Sequence, residues 1–106
     1  MNDSRQLRIA RYNLDVARLE RTQIQNALDF AEDAQDQLAP IARGLTAAPL
    51  GETQTEASEA FGHLASLLQT QVDRLIRTDR KWYRIIADLE AQVEQLMDSR
   101  VEEILV

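Results

Sequence analysis

The chain has 106 residues, of which 44% are hydrophobic and 28% charged, and its formal net charge is −6. It has no cysteine, which excludes disulfide frameworks, thiolate metal sites and cysteine nucleophiles, and His63 is its one imidazole. A single helical domain of this length buries too little surface to be comfortable alone, while its apolar content is too high for a disordered chain, so folding together with partner chains is expected.

Met1-Asn2-Asp3-Ser4-Arg5 leads into a charged amphipathic stretch without the apolar core of a leader peptide, and no apolar run approaches membrane-spanning length. A cytoplasmic location and no membrane partner are the corresponding expectations. The first predicted element is a helix over about residues 4–43, capped by Asp3 or Ser4. Along it Leu7, Ala10, Leu14, Ala17, Ile24, Leu28, Ala31 and Leu38 recur at alternating steps of three and four, interrupted at Arg21 and Gln35. That is a heptad seam. A second stripe, Ile9, Tyr12, Val16 and Leu19, lies two residues further on, which turns it roughly 200° away from the first.

Pro40, Gly44, Pro49 and Gly51 fall close together and mark a turn over about residues 44–52, with Pro40 kinking the end of the first helix and Gly44 in the left-handed position after it. Thr53 and Glu56 have capping-box spacing for a second helix over about residues 53–105. Its seam repeats every seven residues through Phe61, Leu68, Leu75, Trp82, Leu89 and Leu96, accompanied by Ala65, Val72, Ile86 and Val93. The polar run Arg77-Thr78-Asp79-Arg80-Lys81 contains no Gly or Pro and keeps the heptad in phase, so the helix is predicted to pass through it unbroken. The fold class is therefore all-α: a single domain forming a long antiparallel two-helix coiled-coil hairpin that associates into a four-helix bundle or larger helical oligomer.

With the turn centred near residue 48, residues whose numbers sum to about 96 should face each other, giving layers such as Leu7/Leu89, Ala10/Ile86, Leu14/Trp82 and Leu28/Leu68; a slip of one heptad would align the seams equally well. Two consequences follow. Arg21 and Asp79, both interruptions of their seams, should pair across the hairpin. The second helix should also outrun the first, leaving Val93, Leu96, Met97, Val101, Ile104, Leu105 and Val106 without an intrachain partner. These residues, joined by Ile9, Tyr12, Val16 and Leu19, are the expected oligomer interface, with a symmetric dimer the favoured assembly.

Ten of the twelve basic residues lie in two windows, residues 5–21 and 74–84. Arg11, Arg18, Arg74, Arg77, Arg80, Lys81 and Arg84, with Tyr83, are candidates for binding a protein partner; Trp82, on the seam, is expected in the core. A nucleic-acid backbone is the alternative ligand for such an arginine band, disfavoured by the overall negative charge and by Asp15, Glu20, Asp73, Asp79 and Asp88 among the same residues. Asp29, Glu32, Asp33 and Asp36, brought near Glu56, Glu59 and His63 by a sum of 96, would be the ligands of a metal-dependent helical enzyme. Glu59 and His63 lack the Glu-x-x-His step of helical di-metal sites, and the acids occupy outer positions, so a solvated acidic face is expected instead, with no catalytic residue, cofactor or metal. The leading expectation is a non-enzymatic interaction protein of the adaptor, chaperone or inhibitor kind.

Overall fold

The computed structural model describes the backbone of residues 2–47 and 51–105, and the side-chain surroundings of residues 4–45 and 55–101. It contains two α-helices, α1 (Asn2–Ala47) and α2 (Glu52–Leu105), packed antiparallel as a helical hairpin. α2 passes unbroken through Arg77–Lys81.

The ends of the helices differ from the sequence expectation. α1 starts at Asn2, ahead of both Asp3 and Ser4, and continues through Pro40 and Gly44 to Ala47; no described glycine has a positive φ. Pro40 has no N–H to return to the carbonyl of Asp36, and a helical glycine costs about 1 kcal/mol relative to alanine. Neither penalty ends the helix, because Ala42 beyond Pro40 and Leu45 beyond both breakers are still half-buried. At the start of α2 the Gly51 carbonyl accepts the Thr55 N–H at 3.1 Å, which makes Gly51 the N-cap and puts Thr53 inside the helix. The Thr53 side chain lies outside the described residues.

The packing forms two compact units, residues 1–24 with 78–106, and residues 25–77. In the first, Leu7, Ala10, Leu14 and Ala17 of α1 and Ile86 of α2 are buried, and half-buried Trp82, Ile85, Leu89 and Val93 pack against Leu14, Ala17 and Ile86. In the second, Ala31 and Val72 are buried, and half-buried Leu28, Leu38, Phe61, Leu68 and Leu75 occupy seam positions beside them. Three of the seven buried residues among those described are alanines, which let two backbones approach closely where leucine would hold them apart.

The register differs from the expected one by about one heptad. In the second unit Gln35 Nε2 donates to Gln69 Oε1 at 2.8 Å, numbers summing to 104; in the first, Arg18 meets Glu90 and Arg21 meets Asp79, with sums of 108 and 100. The layers built on a sum of 96, such as Leu14/Trp82 and Leu28/Leu68, are thus replaced by ones near 104. The connection accounts for part of this: residues 48–51 separate the helices, so the hairpin's midpoint moves from residue 48 to between 49 and 50, which raises the facing sum from 96 to 99.

That slip removes most of the expected overhang of α2. Val93 packs on the core of the first unit, Leu96 is half-buried, and Met97 Sδ accepts a hydrogen bond from Arg11 Nη2 at 3.6 Å. Val93 and Met97 therefore have contacts within the chain, contrary to the expectation for them, while Met97 is still 43% exposed. Val101 is exposed, whereas the side chains of Ile104, Leu105 and Val106 lie outside the described residues.

Candidate interaction surface

On α1 the stripe Ile9, Tyr12, Val16 and Leu19 is exposed along its whole length. The geometry follows from helical periodicity: Leu7, Ala10, Leu14 and Ala17 face α2, and residues two further on point the other way. Arg5 and Arg8 flank Ile9 and Tyr12 and line a shallow hollow with them. Tyr83 on α2 is also exposed, its ring lying 5.0 Å beneath the guanidinium carbon of Arg21. Ile85, one of the off-seam residues of α2, packs against the core instead.

The basic residues divide by environment. In the first unit Arg18 Nη2 donates to Glu90 Oε1 at 3.3 Å, an exposed pair, and Arg21 Nε donates to Asp79 Oδ1 at 3.0 Å, a pair whose side chains are 28% and 22% exposed. Arg11 is turned toward Met97, while Arg80, Lys81 and Arg84 are exposed. In the second unit Arg74 and Arg77 are exposed on α2. Arg11, Arg18 and Arg21 of α1 are thus held by α2 side chains, which lowers the positive potential they present.

The second unit carries its own apolar exposure. Ala34, Leu38 and Ile41 of α1 and Leu64, Leu67 and Leu68 of α2 line an open groove, with Ile41, Leu64 and Leu67 about half exposed. Neither this groove nor Phe30, the most exposed large apolar side chain described, was singled out from sequence. The signal was present: Leu64 and Leu67 sit next to seam residues Ala65 and Leu68, widening the apolar face there.

Asp29, Glu32, Asp33 and Asp36 do not gather with Glu56, Glu59 and His63, as the sum of 96 would have required. Among the described residues no three His, Asp or Glu side chains converge as a metal ion needs. With the register near 104, the four acids lie level with residues about 68–75 of α2, well past the segment that carries Glu56 to His63. No helix in the described residues is long and apolar enough to cross a membrane. Compared with known proteins, the chain matches no family model, no curated protein and no solved structure.

Proposed function

We propose that this chain is a non-enzymatic helical interaction protein that acts through protein–protein contacts as an oligomer. The observation that carries the reading is the exposed stripe Ile9, Tyr12, Val16 and Leu19, four large apolar residues at heptad steps on a helix whose other face is already packed. Scattered apolar residues on a surface need no explanation, but a contiguous row with seam spacing is what a helical partner covers. The thin core supports the same reading, for among the described residues no side chain is less than 2% exposed. Arg18 and Arg21, engaged by Glu90 and Asp79, favour a protein over a phosphate backbone as the partner.

An oligomer that shares its apolar faces between chains has a stability tied to protein concentration. Denaturant unfolding followed by circular dichroism should therefore show a midpoint that rises between about 2 and 200 μM chain. A midpoint independent of concentration over that range would contradict the reading.

A further inference from the structure

We infer that Met97 is a peroxide-modified site whose sulfoxide oxygen is taken up by the Arg11 guanidinium, so that oxidation leaves the contact between α1 and α2 in place. The inference concerns a chemical modification of the single hairpin. It goes beyond the oligomeric reading and does not depend on it.

Three arginines of α1 reach side chains of α2 in the first unit. Arg18 and Arg21 end on carboxylates, those of Glu90 and Asp79. Arg11 ends on a thioether: its Nη2 donates to Met97 Sδ at 3.6 Å. Thioether sulfur is a weak acceptor, so a guanidinium with five N–H donors is poorly matched there. Glu94 and Asp98 line the same open hollow as Met97, yet neither forms an ion pair with Arg11 among the described residues.

The place of Met97 in the heptad exposes it. Val93 and Leu96 hold the seam positions and are half-buried, whereas Met97, one residue further on, lies at the flank and is 43% exposed. A small oxidant therefore reaches it while the helices stay packed. Hydrogen peroxide or an alkyl hydroperoxide supplies the oxygen. The sulfur lone pair attacks the terminal peroxide oxygen, and the O–O bond breaks as the S–O bond forms. The proton on the transferred oxygen passes to the departing one, which leaves as water or alcohol. Sulfur is oxidised by two electrons and the peroxide is reduced by two.

In the middle of an apolar seam the polar, chiral product would disrupt packing. At this flank the new oxygen projects from the atom that Arg11 already addresses, and a polar S–O oxygen accepts from an ionised donor far better than sulfur does. The seam itself rests on Val93 and Leu96, which the oxidant does not touch. Methionine sulfoxide is also the form that reductases return to the thioether, so the modification is reversible.

The test treats the folded full chain with hydrogen peroxide, counts the oxygen at Met97 by peptide mass spectrometry, and compares melting by circular dichroism before and after treatment at one fixed chain concentration. Met97 should gain one oxygen in the folded chain. Oxidation should lower the melting temperature of the wild type by less than about 1 °C and that of Arg11→Ala by about 3–6 °C, since only the wild type has a donor for the new oxygen. Met97→Leu keeps Met1 as its one methionine and should melt at the same temperature with and without treatment, which assigns the effect to Met97. Equal losses with and without Arg11 would overturn the proposal. So would a Met97 that stays unoxidised in the folded chain, or a loss in Met97→Leu as large as in Arg11→Ala.

Discussion

Arg21 and Asp79 form a hydrogen-bonded ion pair in the middle of two apolar seams, and Tyr83 closes over the guanidinium: the Nε to Oδ1 distance is 3.0 Å, and the Arg21 Cζ lies 5.0 Å from the ring centroid. Both side chains are less than one-third exposed, so the pair is screened less than a surface ion pair. A double-mutant cycle with Arg21→Ala and Asp79→Ala should give a coupling of about 1 kcal/mol, measured by denaturant unfolding. Replacing both with leucine should leave stability unchanged or raise it, since paired charges in an apolar seam cost desolvation that leucines do not. Loss of two-state unfolding in that double variant would show that the pair also fixes which of the heptad alignments forms.

Ala17 is 2% exposed at a buried position between α1 and α2, with Leu14, Ile86 and Trp82 packed in the same cluster. Leucine there adds three carbons to a space already filled. Ala17→Leu should destabilise the chain by about 1–3 kcal/mol and lower the melting temperature. A variant as stable as the parent would mean that the helices lie further apart at this level than the structure shows.

Gly44 and Gly62 are both helical, neither has a positive φ, and a β-carbon at either would meet nothing within 4 Å. Alanine at each position should therefore stabilise by about 0.5–1 kcal/mol, through lower backbone entropy in the unfolded chain. Gly44 is the sharper test. The left-handed cap expected from sequence predicts the opposite sign, so destabilisation by Gly44→Ala would restore a helix end at that point.

With Arg18 held by Glu90 and Arg21 by Asp79, duplex DNA should bind weakly at physiological ionic strength. A gel-shift titration at about 0.15 M salt, where exposed charges are screened beyond roughly 8 Å, should give a dissociation constant well above 1 μM. Sub-micromolar binding with a steep salt dependence would make nucleic acid the partner in place of protein.

The secondary structure and the buried face were legible in the sequence. Leu7, Ala10, Leu14, Ala17, Ala31, Val72 and Ile86, the buried apolar residues among those described, all lie on the two seams that periodicity picks out. The register was not legible, for a reason internal to heptad repeats: sliding one seam along the other by seven residues again places apolar on apolar. Arg21 and Asp79 do not break that degeneracy, because their sum of 100 lies within one helical turn of either alignment, and their pairing is expected from both. The length of the connection biases the choice, moving the midpoint from residue 48 to between 49 and 50. There the sequence misleads, because Pro40 and Gly44 signal an end that the half-buried Ala42 and Leu45 override. Within the expected C-terminal interface that error bears on Val93 and Leu96, which are half-buried in the chain, whereas Met97 and Val101 are exposed. The stripe Ile9 to Leu19 depended on α1 alone and is exposed.

The central claim is that the chain works as an oligomer, and light scattering coupled to size exclusion tests it most directly on the full-length protein. Between about 5 and 100 μM the account predicts a mass of about twice the 12.1 kDa of one chain, falling toward one chain on dilution if the dissociation constant lies in the micromolar range. A mass of 12.1 kDa at every concentration, with full helicity retained, would contradict it.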